Sequence, residues 1–225
     1  SHYDPNGDAL GSSLGLMHLL ERKGKKVWVH SAGPIPEEYG FLPGLERVSK
    51  DFPQHEEIDC AVLLDCHQPE RSGQAEAEYL AQVERVVVVD HHQGAVDFGD
   101  PAWVDPSFAA TSQMLAHMAI EAEWQMDQAA AACLFTGLQT DTGSFRYSNA
   151  TPQAFRIAAS LVEAGADPWM ISQEVYATRV TRLRLLSRIL ESLSLAAEGR
   201  LAIGQAFRAD FEDLEADPRD LEDAV

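Results

Sequence analysis

Positive charge is what this sequence has least of. Its 225 residues carry 17 Lys and Arg against 36 Asp and Glu, a formal net charge of −19 at pH 7. That balance argues against a protein that coats duplex DNA through a basic face. It leaves room for a small anionic substrate, because bound divalent ions can reverse the sign of the field inside a cleft. Cysteine is scarce as well. Cys60, Cys66 and Cys133 are odd in number and have no C-x-x-C spacing, so they read as reduced thiols, not as a disulfide framework or a zinc knuckle. No apolar run approaches the roughly 20 residues that span a bilayer, and no basic-plus-apolar leader points to export. The expected location is the cytoplasm, with no membrane partner.

What is present is an alternation of strand-like and helix-like segments. Residues 9–22 have helical apolar spacing, with Gly24 as a stop. Residues 26–30 read as a short strand, and 31–57 as loop. Residues 59–65 (DCAVLLD) and 85–90 (RVVVVD) are continuous apolar runs that end on an acid. They have the character of strands buried on both faces of a parallel sheet. Helices are expected over 74–84, 107–121, 127–139 and 151–164, the last with Thr151 as N-cap and Pro152 at its first position. Residues 93–108 read as loop. Helical residues dominate from 168 to about 197, followed by a strand at 200–207 and an acidic helix from 209. A strand and a helix cannot close a core of their own, so a second domain is expected to be incomplete.

Four segments carry acids and imidazoles where strands end or helices begin. In SHYDPNGDALGSS, His2, Asp4, Asn6 and Asp8 alternate on a turn held by Pro5 and Gly7. Alternating donors on a short turn can converge on a cation, and the leading His favours a transition metal over calcium. Asp65 ends one apolar strand and is followed by His67. Asp90, His91 and His92 end the valine strand, and Asp141 lies in TGLQTDTGSFRYSN, read as a tight loop after a helix. In open α/β sheets the ligand crevice lies outside the carboxyl ends of the strands. Carboxylates and imidazoles gathered there suit two cations about 3.5–4 Å apart, which clamp a phosphoryl group and activate water.

His2-x-x-x-Asn6-x-Asp8, Asp65, Asp90-His91-His92 and Asp141 resemble the four ordered motifs of the DHH phosphoesterases, over roughly residues 1–180. The fuller strings look most like the branch of bifunctional oligoribonucleases and 3′-phosphoadenosine-5′-phosphate phosphatases. The resemblance implies an α/β fold: a parallel-sheet DHH domain with helices on both faces at 1–178, a connecting helix at 179–197, and the start of a DHHA1-like α/β domain at 198–225. It implies two Mn2+ ions, with Mg2+ or Co2+ as substitutes. Asp8, Asp65, His91 and Asp141 would hold one ion, and His2, Asn6 and Asp65 the other. His92 would face the substrate, Asp90 would orient the imidazoles from behind, and Arg146 could meet phosphate. Asp65, Asp90 and His92 form the implied catalytic set. The implied substrates are short single-stranded RNA or a mononucleotide bisphosphate, with a pyrophosphate- or dinucleotide-specific hydrolase, or a nucleotide- or metal-binding module with little turnover, as alternatives, and a homodimer is left open. Two departures stand out. The family normally has Asp where this chain has Asn6, a neutral and weaker ligand, so the three-ligand site is expected to lose more metal affinity. The bulk of the DHHA1 domain, which grips the nucleotide, is also missing from this sequence.

Overall fold

A computed structural model describes residues 1–53, 58–94 and 97–221. Parts of the expected loops at 31–57 and 93–108, and the end of the acidic helix, lie outside the described residues. The chain divides into two compact units, Ser1–Val175 and Tyr176–Val225.

The first unit opens with helix α1 (Gly7–Arg22). The side chain of Asn6 caps it, Oδ1 accepting from the Ala9 amide at 2.9 Å, which satisfies one of the donors a helix start leaves free. The helix therefore begins before the apolar spacing does, and Asp8 stands in its first turn instead of in the preceding loop. Strands β1 (Val29–His30), β2 (Val48–Ser49), β3 (Ala61–Leu64), β4 (Val86–Asp90) and β5 (Ala102–Val104) follow, with helix α2 (Gln74–Leu80) between β3 and β4. All five strands pair in parallel, but in two sheets, β1-β2 and β3-β4-β5. β2 and β5 lie in stretches expected as loop, because two or three residues are too few to display a strand period.

β4 is the middle strand of its sheet. Val86, Val88 and Val89 are buried, as a strand covered on both faces requires. Leu64 stands opposite Val89 in the β3–β4 register. The first residue beyond β3, Asp65, therefore lies beside the last residue of β4, Asp90.

Helices α3 (Thr111–Glu121), α4 (Gln128–Asp141), α5 (Pro152–Glu163) and α6 (Pro168–Val175) complete the unit. Thr151 caps α5 as expected, accepting from the Ala154 amide at 3.2 Å. α3 starts later than the expected residue 107. α4 continues past the expected residue 139, so Asp141 is its last residue and not part of a loop. The main core joins α1, α3, α4 and α5 to the inner strands through Leu19, Met114, Leu115, Leu134, Leu138 and Leu161.

α1 and α4 run antiparallel in close contact. A Cβ placed on Gly11 would collide with the Cys133 carbonyl oxygen and lie 3.0 Å from the Gly137 nitrogen, and one on Gly15 would lie 2.6 Å from the Leu134 side chain. Bare backbone at Gly11 lets the two helix axes approach this closely.

The second unit comprises helix α7 (Val180–Glu191), the antiparallel hairpin β6 (Ser194–Ala196) and β7 (Leu201–Ile203), and helix α8 (Arg208–Leu214). The helical run expected to about residue 197 stops earlier. Residues 194–196 pair with β7 instead, and Gly199 in the intervening turn has φ +80. Pairing across the turn outweighs the weak helical preference of that stretch. No helix among the described residues is long and apolar enough to cross a membrane.

Gly11→Ala should destabilise the chain by about 1–3 kcal/mol, the usual cost of overpacking a filled contact. Urea unfolding followed by circular dichroism measures this, and an unchanged midpoint would contradict the account of the α1–α4 contact.

Candidate metal centre

Parallel strands point their carboxyl ends to one edge, so β3 and β4 deliver Asp65, Asp90, His91 and His92 together. Because α1 and α4 are antiparallel, the N-terminal turn of one meets the C-terminal turn of the other. This adds Asp8 and Asp141 to the same place. The centre is therefore assembled from two strand ends and two helix ends.

Asp8 is fully buried. Its carboxylate is gripped by the start of α3: the Thr111 amide donates to Oδ2 at 2.6 Å, the Ser112 amide donates to Oδ1 at 2.8 Å, and the Ser112 hydroxyl donates to Oδ1 as well. A helix N-terminus is a natural anion site. Gly137 of α4 makes room for this grip, since a Cβ there would lie 2.7 Å from Asp8 Oδ1. Asp65 accepts from the Thr111 hydroxyl at 3.2 Å. It holds a left-handed backbone, φ +57, which is uncommon for a residue with a side chain and gathers at functional sites.

His91 sits at the middle. Its Nε2 lies 3.1 Å from Asp141 Oδ2, 3.5 Å from Asp65 Oδ1 and 3.8 Å from Asp8 Oδ2. It is buried without a well-aligned hydrogen bond to any of them, and so is Asp65 Oδ2. Buried polar atoms are normally satisfied, and these two turn into a space bounded by carboxylates. One ligand atom each from Asp8, His91 and Asp141 lies within 4.8 Å of the others, and the same holds for Asp65, His91 and His92. Oxygen and imidazole donors in this number fit a divalent transition ion.

The charges point the same way. Burial pushes the Asp8 carboxyl well above its ordinary range, and Asp65 and Asp141 push it further. Burial likewise raises Asp141, although His91 opposes it. Burial would raise Asp65 too, but the close imidazoles of His2 and His91 outweigh it and hold that carboxyl well below the ordinary range. Burial lowers His91, yet Asp141 and Asp65 override it and carry the imidazole up to about 11. Protonated His91 is one cation this acidic pocket supplies from its own side chains. A metal ion would replace that proton.

Asp90, also buried, lies behind the imidazoles. Its Oδ1 accepts from His92 Nδ1 at 2.7 Å and from the His92 amide at 3.1 Å. Burial raises Asp90, but the bonds from His92 and His67 bring it down to about 2. His92 is raised chiefly by its bond to Asp90. Its side chain is 39% exposed, against 14% for His91, so it forms the rim of the pocket.

Of the remaining sequence candidates, His2 brings Nε2 to 3.4 Å from Asp65 Oδ2. Asn6 is exposed, and its oxygen serves as the α1 cap. Arg146 is exposed on the turn after α4, its Nε donating to the Gly143 carbonyl at 2.7 Å. Sequence reading missed Thr111, Ser112 and the full role of His67. The Thr-Ser pair at the true start of α3 was the available signal, masked by placing that helix start at residue 107.

His91 must be neutral to bind a metal, and in the metal-free chain it holds its proton up to about pH 11. Manganese binding at pH 8 should therefore release about one proton, and apparent affinity should rise with pH. Calorimetric titration in two buffers of different ionisation enthalpy counts the proton. Equal heats in both buffers would refute the assignment.

Three comparisons with known proteins agree with this geometry. The DHH family, N-terminal domain, matches residues 1–138. The chain is 34% identical over 204 residues to the bifunctional oligoribonuclease and PAP phosphatase NrnA of Thermus thermophilus, covering 89% of this chain and 60% of that protein. It is 24% identical over 205 residues to NrnA of Bacillus subtilis, covering 90% and 64%. The chain thus spans a little over half to two thirds of these relatives' length. The crystal structure of an exopolyphosphatase-related protein from Bacteroides fragilis superposes with a TM-score of 0.90 at 26% identity, covering 100% of this chain and 69% of that one. With its motifs converging on one buried centre and its family match running through more than half its length, the chain belongs to the DHH family.

Proposed function

We propose that this chain is the catalytic part of a metal-dependent phosphoesterase, acting in the cytoplasm. Its substrates are short single-stranded RNA, cut to mononucleotides, and 3′-phosphoadenosine-5′-phosphate, cut to AMP. The observation that carries the proposal is the convergence of Asp8, Asp65 and Asp141 on His91, with the more exposed His92 at the rim. The named relatives support the substrate class.

In this reading Asp8, Asp65, His91 and Asp141 hold one ion, and His2, Asn6 and Asp65 hold a second. Manganese is the favoured metal. When bound, such ions polarise phosphoryl oxygens and lower the pKa of water. The chain's own residues do the positioning. Asp90 fixes His92 through Nδ1, which leaves Nε2 to face the phosphate. With its pKa raised, His92 can present a proton to the leaving oxygen. Arg146 supplies positive charge to the substrate's phosphates. Residues 1–178 act as the DHH domain, α7 (Val180–Glu191) as its connecting helix, and the residues from β6 onward as the start of a DHHA1-like domain.

Asn6 favours a second reading, a nucleotide-binding module with little turnover, because its amide is a poor ligand and is already used as a cap. The two readings separate in a manganese-dependent assay of mononucleotide and AMP release. Turnover that Asp141→Asn reduces by about 100-fold or more supports the esterase. The absence of turnover at saturating metal supports the binding module. Asn6→Asp should keep the cap, since Asp serves there as well as Asn, with stability within about 0.5 kcal/mol. The same change should tighten manganese binding, measured by calorimetry, and unaltered affinity would remove Asn6 from the ligand set.

A further inference from the structure

His67 stands two residues beyond Asp65 and is buried. Its Nδ1 meets Asp90 Oδ2 at 2.5 Å, the carboxylate oxygen that His92 does not use. Asp90 therefore sits between two imidazoles, one buried at His67 and one at the rim at His92. The other His67 nitrogen, Nε2, is buried and has no hydrogen-bond partner. It abuts Gly94, where a Cβ would lie 2.5 Å away. Gly94 is two residues past His92, so the His67 ring underlies the segment that carries the rim histidine while also gripping its anchor.

A carboxylate with one satisfied oxygen can rotate about its Cβ–Cγ bond, and one with both oxygens held cannot. Asp90 Oδ1 accepts both the ring and the amide of His92, so the angle of its carboxylate plane sets which ring nitrogen of His92 carries the hydrogen. A buried carboxylate oxygen left without a donor would cost about 1–3 kcal/mol or more, and the group would turn to relieve it.

We infer that His67 is a positioning residue: by holding the second oxygen of Asp90, it keeps Asp90 on the Nδ1–H of His92, so that the neutral ring is the Nδ1–H form and Nε2 faces the substrate with or without its proton. The inference rests on the phosphoesterase reading for its catalytic consequence, but not for the tautomer it assigns. His67 touches neither substrate nor reacting atoms; it acts through Asp90. Groups bonded directly to a metal-ligating imidazole are commonly worth 10- to 100-fold, and His67, which acts through Asp90 on a substrate-facing ring, is expected at the lower end of that range.

Two substitutions separate positioning from packing. Asn places its amide NH2 near where His Nδ1 stands, and Gln places it near Nε2. His67→Asn should keep the bond to Asp90, whereas His67→Gln should keep bulk and polarity but lose it. The readout independent of activity is the nitrogen-15 spectrum of the His92 ring in the metal-free chain, at a pH where the ring is neutral. The unsubstituted chain and His67→Asn should show the Nδ1–H form, and His67→Gln a mixture of tautomers. With manganese and 3′-phosphoadenosine-5′-phosphate, kcat should fall about tenfold or more in His67→Gln and recover in His67→Asn, with KM and manganese affinity within about twofold throughout. Equal spectra for the two variants, or a loss found only in metal affinity, would overturn the inference. If the unsubstituted chain turns over neither substrate, the function proposed above fails, while the spectra still decide the role of His67.

Discussion

The close antiparallel contact of α1 and α4 is the constraint on which the centre depends. Both helices end in acids that would repel each other at this separation in a low-dielectric interior. Packing forces them together regardless, because Gly11 and Gly137 leave bare backbone where side chains would hold the helices apart. The electrostatic cost is offset in part by the amides of α3 around Asp8 and by the proton on His91. The remainder is a standing demand for positive charge, which a divalent ion would meet.

The centre has a division of labour visible in its hydrogen bonds. Asp8 is saturated by donors from α3 and is the stiffest of the acids. Asp141 ends its helix, where the carbonyl dipoles add negative potential, and an Asn149 amide holds its own carbonyl at 2.9 Å. Asp65 touches His2 on one side and His91 on the other, and so can serve two ions. Asp90 accepts from the His67 and His92 rings and from the His92 amide, and lies behind the pocket.

Much of this was legible in the residues. The valine run stopping at Asp90 announced a buried parallel strand, and a parallel strand's end predicts where a ligand lies. The acids at 65, 90 and 141 and the histidines at 91 and 92 were identifiable by type and placement. Helix boundaries were the weak point. Asp8 and Asp141 belong to helix ends and not to loops, because a cap at Asn6 and the tertiary contact of α4 extend each helix beyond its apolar pattern. Thr111 and Ser112 could not be assigned to Asp8, since their role depends on three helices meeting around a glycine. His67 looked like one more polar residue after a strand, because pairing with Asp90 needs the β3–β4 register. The strands β2 and β5 were hidden by their brevity, and the β6–β7 hairpin by pairing that only its turn makes visible.

The left-handed backbone at Asp65 narrows what any redesign of the centre could do. Gly, Asn and Asp adopt that conformation most readily, and Asp65 is also fully buried. Lengthening the shared acid would therefore crowd a filled position at the end of β3. His2 and Asn6, on the turn ahead of α1, are partly buried and exposed respectively, so substitutions there meet less packing. One edge of the pocket is enclosed on every side, and the opposite edge has room to change.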